Sequence, residues 1–177
     1  MVKPLEQSRH PLDQMTIQVI GNALTTIAEQ MGVSLIRTAY SLTINERADC
    51  STAIFDTVGN VIAQAPRIPL HLGSMLGLVG ETLKRQTDLR PGDMFVANDP
   101  YAGGGTHLQD ITILAPVFWE DALFGFVANI AHHTDVGGMI AGSETPDAEE
   151  IIQEGLRLSP VRIAVDGRPL QDIIDII

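Results

Sequence analysis

The sequence has few cysteines and few basic residues. Cys50 is the one cysteine in 177 residues, which excludes an internal disulfide framework. Lysine and arginine total 11 against 22 aspartate and glutamate residues, so the formal net charge is −11, and the basic residues are scattered along the chain. Because binding to a phosphate backbone needs concentrated positive charge, we expect no nucleic-acid partner.

Long apolar runs are also missing. No stretch approaches the roughly 18 apolar residues that a membrane span requires, and the first residues, MVKPLEQSRHPLDQ, lack the apolar core of a signal peptide. The nucleotide-binding patterns GxxxxGKS and GxxxxGKT are absent as well. We therefore expect a cytoplasmic protein that has no membrane partner and no P-loop of its own.

Helical and hairpin patterns alternate along the chain. With 45% hydrophobic residues and no Gly/Ser-rich or Pro-rich linker, residues 1–177 are expected to form a single domain. The alternation predicts an α+β fold, in which antiparallel hairpins pack with amphipathic helices and a helix comes first. The last segment, residues 172–177, is apolar and amphipathic without a helix stop signal. We expect it to be an interrupted element or a surface that a partner covers.

The helical periodicity is clearest near the start. Asp13 is expected to cap a helix that Gly32 ends, with one face packed on the core. The apolar residues on that face are Ile17, Ile20, Leu24, Ile27 and Met31. A short second helix is predicted over residues 34–40. Residues 41–49 then break the periodicity and are rich in polar side chains, which indicates a surface turn or a site.

Several shorter elements follow. Strands over Cys50–Phe55 and Val61–Ala65 flank a turn that contains Gly59 and Asn60, which predicts a hairpin. After His71, a single helix is expected to present Leu72, Leu76, Val79 and Leu83 on one face. The remaining predicted elements are a turn over residues 90–93, a strand over Met94–Ala97, a helix over residues 146–158 and a strand over Val161–Val165.

Two tetrapeptides repeat the same chemistry. His107-Leu-Gln-Asp110 and His132-His-Thr-Asp135 each place an aspartate three residues after a histidine. Imidazole nitrogen and carboxylate oxygen are ligands that Zn, Mn or Fe(II) accept. The pairs therefore indicate a metal site, and the alternative is that the histidines hydrogen-bond to local loops. Gly103-Gly-Gly105 precedes the first pair, and we expect these glycines to allow close backbone approach to a ligand.

The sequence between the pairs predicts that they meet. Residues 111–118 and 123–130 are apolar, strand-favouring runs on either side of Glu120-Asp121, as in an antiparallel hairpin. A turn centred there places Asp110 opposite Ala131 and Leu108 opposite His133. Pro116 cannot donate to the ladder and indicates either an edge strand or a bulge that would shift this pairing by one residue. Either register leaves both pairs at one end of the hairpin.

Eight segments, which follow one another along nearly the whole chain, together resemble a known family. They are Arg37-Thr-Ala-Tyr40, Asn45-Glu-Arg-Ala-Asp49, Ala63-Gln-Ala65, Ile68-Pro-Leu-His-Leu-Gly-Ser-Met75, Asn98-Asp-Pro-Tyr101, Gly105-Thr-His-Leu-Gln-Asp110, Ala128-Asn-Ile-Ala-His-His-Thr-Asp-Val-Gly-Gly138 and Gln153-Glu-Gly155. The family that they resemble is the hydantoinase B/5-oxoprolinase family, which includes N-methylhydantoinase-type large subunits and is related to the corresponding acetone carboxylase subunit. Family members are several times longer, and the resemblance is to their N-terminal portion.

The resemblance implies ATP-dependent opening of a cyclic amide or imide, such as a hydantoin or 5-oxoproline. ATP would be used by a partner subunit or domain of the hydantoinase A type, in a hetero-oligomer, while this chain supplies a hydrolytic site that depends on a divalent metal ion. Two alternatives stay open: a carboxylase-type subunit acting on an activated ketone, and a non-catalytic assembly fragment that needs a partner chain.

The same resemblance implies roles for individual residues. It implies that three residues are metal ligands: His107, Asp110 and His132. Glu46 is a candidate fourth ligand, and its alternative role is a salt bridge to Arg37 or Arg47. Asp135 would be a ligand or would orient an imidazole. His133 and His71 are the candidates for proton transfer, although His71 at a helix start can equally serve a structural role.

Overall fold

The computed structural model describes residues 12–65 and 67–177, which form one antiparallel sheet with helices against it. The α+β prediction with a helix first is confirmed. The strands are β1 (Cys50–Phe55), β2 (Val61–Ala65), β3 (Met94–Ala97), β4 (Asp110–Trp119), β5 (Ala122–His132), β6 (Val161–Val165) and β7 (Arg168–Pro169). The helices are α1 (Gln14–Thr38), α2 (Leu42–Asn45), α3 (Leu70–Ser74), α4 (Leu78–Arg85) and α5 (Gln171–Ile174).

The strand order across the sheet is β2-β1-β5-β4-β3-β6-β7. The long hairpin β4-β5 therefore lies at its centre. The turn at Glu120-Asp121 predicted the hairpin, but the edge strand that Pro116 could have indicated is wrong, because β3 and β5 flank β4. Near the turn, Trp119 pairs with Ala122 in the expected register. An irregularity between Val117 and Phe118 shifts the remainder by one residue, so that Asp110 faces His132 and not Ala131. The shift follows the bulge that Pro116 indicated.

The sheet buries apolar side chains on both faces, because alternate residues of a strand point to opposite sides. One face, here the α4 face, carries Ala53, Phe55, Leu114 and Phe126 and packs against α4. On the opposite face, here the α1 face, Ile54 and Ala63 pack against Ala28 of α1. The same face of β3 and β4 packs against Leu158 and its neighbouring loop.

Helix α1 is longer than predicted and faces the sheet with different residues. Asp13 caps it through the Thr16 N–H, but the helix passes Gly32 and continues to Thr38, so the separate helix expected over residues 34–40 is its last part. The apolar stripe expected in the core is largely exposed, with Ile17 at 56% and Ile20 at 44%. The small residues Ala28 and Gly32 face the sheet instead, because only a small side chain permits this close approach.

Two other helical predictions were wrong. The helix after His71 is divided into α3 and α4 by Gly77, which adopts a φ of 84°, and Leu76 at the break is 58% exposed. The helix expected over residues 146–158 is a loop with one 3-10 turn at Ile151–Gln153. Its backbone bonds instead to the segment before it, as in the Leu156 N–H donating to the Val136 carbonyl at 2.8 Å.

Across residues 12–65 and 67–177, no helix is both long and apolar enough to cross a bilayer.

Candidate metal centre

Three ligand-type side chains meet at one end of the central hairpin. Asp110 begins β4 and His132 ends β5, and the register places them directly opposite each other on the α4 face. His107 reaches them from the turn before β4, three residues upstream of Asp110. One ligand atom from each of the three lies within 4.8 Å of the others. The first histidine-aspartate pair and the first histidine of the second pair are thus brought together, as the sequence predicted.

The contacts inside this triad centre on the Asp110 carboxylate, which is 1% exposed. His107 Nε2 lies 3.3 Å from its Oδ2 atom, and His132 Nδ1 lies 3.3 Å from its Oδ1 atom. Although it is buried, Oδ2 accepts no hydrogen bond from any residue that the structure describes. The two imidazole rings meet edge to face, with centroids 5.2 Å apart. A buried carboxylate oxygen left without a donor is costly unless a cation or proton satisfies it.

His71 supports the triad from α3. Its ring is buried, and Nε2 lies 3.6 Å from Asp110 Oδ1 and 3.7 Å from Asp49 Oδ1. Its Nδ1 atom lies 3.1 Å from the Ser51 hydroxyl, which in turn accepts the Arg67 N–H at 3.2 Å. Since that contact leaves the Ser51 proton free to point at Nδ1, the His71 N–H is favoured on Nε2, between the two carboxylates.

The surrounding imidazoles also determine how Asp110 ionises. Burial raises the pKa of the Asp110 carboxyl, but the adjacent rings of His71, His107 and His132 outweigh burial and hold that pKa below its usual range. Asp110 is therefore an anion at neutral pH, as a metal ligand must be.

The triad opens into a pocket of about 640 Å³. Its walls come from three parts of the chain: the segment before β1, helix α3 with Ile68 two residues before it, and the loop after β5. Besides the triad, the lining residues are Thr43, Arg47, Asp49, Ile68, Leu70, His71, Thr134, Ala141, Gly142 and Glu144. Arg47 supplies positive charge among these described residues, and Asp49 and Glu144 supply carboxylates. The pocket therefore offers both signs of charge next to a cluster of imidazoles.

Three of the predicted site residues lie elsewhere. Glu46 is exposed at the end of α2 and does not line the pocket, whereas Asp49 from the same loop does. His133 follows His132 and so points to the opposite face of the sheet, into a small cavity of about 50 Å³ next to Ile111. Burial lowers the pKa of His133, and the nearby charge of His132 lowers it further.

Asp135 folds the loop after β5. Its Oδ1 atom accepts hydrogen bonds from the Gly137 N–H at 2.9 Å and the Ser143 hydroxyl at 2.8 Å, while Oδ2 accepts the Gly142 N–H at 3.0 Å. These backbone and hydroxyl donors lower the pKa of the Asp135 carboxyl. The carboxylate is thus engaged by its own loop and is not part of the triad.

The glycines before His107 approach the chain's own backbone. A Cβ atom on Gly104 would lie 2.8 Å from the Asp99 nitrogen, and one on Gly103 would lie 3.0 Å from the Leu78 nitrogen. Neither glycine lines the pocket. The close approach that the sequence suggested towards a ligand is therefore made to residues 97–99 and to the start of α4.

Sequence reasoning did not single out Asp49, Ser51 or Gln109. Asp49 lay within the polar run before β1, which was a usable signal, but its position beside His132 depends on β1 pairing with β5. That pairing joins residues about 80 positions apart, such as Cys50 and Ala131. Gln109 lay inside the first tetrapeptide without a recognised role.

Comparison with known proteins identifies relatives that share this fold. The 5-oxoprolinase of Saccharomyces cerevisiae is 37% identical over 97% of this chain and 14% of its own length. The caprolactamase beta subunit of Pseudomonas jessenii is 34% identical over 94% of this chain and 29% of its own. In the crystal structure of that ATP-dependent caprolactamase, a matching chain superimposes with a TM-score of 0.81 at 31% identity, over 94% of this chain and 29% of the other.

A more distant match shares the fold alone. The nucleotide-free structure of acetone carboxylase superimposes with a TM-score of 0.83 at 17% identity, over 92% of this chain and 22% of the other. The chain spans less than a third of the length of the curated relatives it matches, from 12% to 30%. The family model described as hydantoinase B/oxoprolinase matches residues 13–177. Because that match takes in nearly the whole chain, the protein belongs to the hydantoinase B/oxoprolinase family.

Proposed function

We propose that this chain supplies the metal-dependent hydrolytic site of an ATP-dependent amidohydrolase that opens a cyclic amide or imide. His107, Asp110 and His132 are the proposed ligands of a divalent ion, with Zn, Mn and Fe as the candidates. The observation that carries the proposal is the buried Asp110 carboxylate, whose Oδ2 atom lies 3.3 Å from an imidazole nitrogen and accepts no hydrogen bond from the described residues. Two imidazoles and one carboxylate are a common ligand set of catalytic zinc sites.

A bound divalent ion in such a site lowers the pKa of its water towards about 7 and polarises a substrate carbonyl. The chain's own residues then have separate tasks. His71 holds Asp110 and Asp49 in place through its position between their carboxylates. Asp49 lines the pocket beside the triad, where it can accept a proton from an attacking water. Arg47 lines the pocket as well, and its charge suits a carboxylate or phosphoryl group on the substrate.

The choice of an amide substrate depends on sequence identity. The proteins that share 34% and 37% identity with this chain are named caprolactamase and 5-oxoprolinase, and both names refer to cyclic amides. Acetone carboxylase shares 17% identity, which supports the fold and does not extend to its reaction. We therefore favour a hydantoin, an oxoproline or a related lactam over an activated ketone.

ATP is proposed to act outside this chain. The caprolactamase neighbour is described as ATP-dependent, and this sequence contains no P-loop pattern. A hydantoinase A-type subunit or domain would phosphorylate the amide carbonyl and pass the activated substrate to the pocket described here. The working enzyme would then be a hetero-oligomer.

The metal site is tested by dialysing the purified chain against Zn²⁺, Mn²⁺ or Fe²⁺ and measuring bound metal by elemental analysis. We expect about one ion per chain in the wild type and a loss of that ion in His107→Ala and His132→Ala. His133→Ala is the matched control, because His133 points to the other face of the sheet and should leave the ion in place. A wild-type chain without bound metal would contradict the proposal and favour the assembly-fragment alternative.

The reaction is tested in the complex with the hydantoinase A-type partner. Hydantoin, 5-oxoproline and caprolactam are supplied with ATP, and ADP and the ring-opened acid are both measured. We expect the wild-type chain to give both products. We expect His107→Ala to give no ring-opened acid, and added metal should not restore its formation. Ring opening that persists in His107→Ala would place the hydrolytic site on another chain.

A further inference from the structure

Gln109 lies inside the first tetrapeptide, between His107 and Asp110. Its side chain is 2% exposed, and both ends of its amide are engaged. Nε2 donates to the Ser143 carbonyl at 2.8 Å, and Oε1 lies 2.9 Å from His107 Nδ1. The Gln109 backbone is held as well, because its carbonyl accepts the His133 N–H at 2.8 Å.

The chemistry of these partners determines the direction of both hydrogen bonds. A backbone carbonyl can only accept, so the end of the Gln109 amide that faces Ser143 must be the NH₂ group. The end that faces His107 is then the amide oxygen, which also can only accept. His107 Nδ1 must therefore carry a proton. This assignment follows from the partners and does not depend on which amide atom was labelled oxygen.

Protonation on Nδ1 leaves a lone pair on Nε2 whenever the imidazole is neutral. That atom faces Asp110 Oδ2 at 3.3 Å, so two acceptor atoms point at the same space. We propose that Gln109 is a positioning residue that selects the Nδ1-protonated tautomer of His107 and so presents Nε2 as a metal ligand. This inference rests on the proposed metal site and assigns a residue that prepares it.

The loop after β5 holds the carbonyl on which Gln109 depends. Ser143 is 1% exposed, and its hydroxyl accepts the Val136 and Gly138 N–H groups at 2.9 and 3.0 Å while it donates to Asp135 Oδ1. Gly138 allows this close packing, since a Cβ atom there would lie 2.9 Å from Ser143 Cα. Asp135, the aspartate of the second tetrapeptide, is therefore connected to His107 by hydrogen bonds through Ser143 and Gln109.

Two substitutions separate the tasks of the amide. Gln109→Glu keeps an acceptor for His107 Nδ1–H but loses the donor to Ser143. In Gln109→Met the new side chain has a similar length, and both hydrogen bonds, to His107 and to Ser143, are lost. Thr82→Val is the matched control, because Thr82 is buried, donates from its hydroxyl to the Leu78 carbonyl in α4, and does not line the pocket. Loss of that hydrogen bond should lower the stability of the fold and leave the His107 tautomer unchanged.

The experiment uses the full chain in two states. In the metal-free state at alkaline pH, where the imidazoles are neutral, nitrogen-15 NMR reports which ring nitrogen of His107 carries the proton. Zn²⁺ affinity is then measured by competition with a chelator. We expect Nδ1 protonation in the wild type and in Gln109→Glu, and a mixed or reversed tautomer in Gln109→Met. We expect Zn²⁺ affinity to fall about 10–100-fold in Gln109→Met, as for other residues that orient a ligand.

The outcomes distinguish this inference from the proposed function. If the wild type binds no Zn²⁺, the metal site itself fails, and the role of Gln109 fails with it. If the wild type binds Zn²⁺ but carries the His107 proton on Nε2 in the metal-free state, the site stands and the role of Gln109 is overturned. Wild-type affinity in Gln109→Met would also overturn it. The wild-type spectrum shows which His107 nitrogen carries the proton, so the inference can be tested even if Gln109→Met does not fold.

Discussion

Asp110 and His132 lie directly opposite each other on β4 and β5, with Asp110 Oδ1 3.3 Å from His132 Nδ1. Side chains on directly opposed residues share a face of the sheet and are close neighbours. The register of one hairpin therefore decides which of the two adjacent histidines, His132 or His133, joins the proposed metal site.

This register predicts opposite effects for the two adjacent histidines. His132→Ala removes a proposed ligand, and we expect Zn²⁺ affinity to fall by at least the roughly 10–100-fold that is typical for residues supporting a ligand. His133→Ala removes a side chain on the other face and should change affinity by less than about threefold. Isothermal titration with Zn²⁺ measures both. Equal losses in the two variants would mean that the β4-β5 register differs from the one described.

Substitution of Asp110 tests the charge at the centre of the triad. Zn²⁺ at about 100 times its Kd should raise the wild-type free energy of unfolding by about 2.7 kcal/mol. Asp110→Asn should show little of this gain at the same Zn²⁺ concentration, because the amide has no net charge to offer the ion. Urea unfolding with and without Zn²⁺ provides the measurement.

Asp93→Asn serves as the control for Asp110→Asn. Asp93 is also a buried carboxylate, and its partners are the Arg90 N–H and Arg162, which lie outside the pocket lining. We expect this variant to lose stability yet to keep the full Zn²⁺ response. A response lost in both variants would point to general destabilisation as the cause.

The stability of the loop after β5 should depend on pH, because the Asp135 carboxylate accepts the hydrogen bonds that fold it. Hydrogen bonds from Gly142, Gly137 and Ser143 hold the folded-state pKa of this carboxyl below its usual range. A lowered pKa stabilises the loop above the unfolded pKa, and this contribution disappears as the pH falls through the folded value. NMR titration of the Gly137 and Gly142 amides should therefore show a midpoint below the usual aspartate value of about 3.9. A midpoint above that value would exclude these hydrogen bonds in solution.

The contact between α1 and the sheet predicts contrasting effects of added volume. A Cβ atom on Gly32 would lie no closer than 3.7 Å to Arg67 or Thr52, so Gly32→Ala should raise stability by up to about 1 kcal/mol through helix propensity. Ala28 is fully buried, and Ala28→Leu should lower stability by about 1–3 kcal/mol through overpacking. Urea unfolding of both variants checks the contrast. Stabilisation by Ala28→Leu would show that α1 does not pack as described.

Local patterns predicted much of the fold, and four of the seven predicted site residues lie together around the pocket: His71, His107, Asp110 and His132. Alternating apolar residues around Glu120-Asp121 were sufficient for the hairpin β4-β5, and the hairpin was sufficient to bring His107, Asp110 and His132 to one end. The one-residue shift near Pro116 lay beyond exact prediction, because a bulge depends on packing from both faces. It also decided the partner of Asp110.

Longer-range features could not be predicted from local patterns. Asp49 reaches the pocket only because β1 pairs with β5, and Glu46, three residues earlier, does not line it. The periodicity of α1 was correct, but three residues of its predicted apolar stripe, Ile17, Ile20 and Ile27, are exposed. Residues 146–158 have helical composition, yet their backbone bonds to the preceding loop around Val136. Tertiary contacts outweigh propensity in both cases.

The most direct test of the central claim is an anomalous X-ray difference map from crystals of the chain grown with Zn²⁺ and measured at the zinc edge. We expect one strong peak about 2.0–2.2 Å from His107 Nε2, from Asp110 Oδ2 and from an imidazole nitrogen of His132. The absence of a peak at this position, or a strong peak held by other residues alone, would contradict the account.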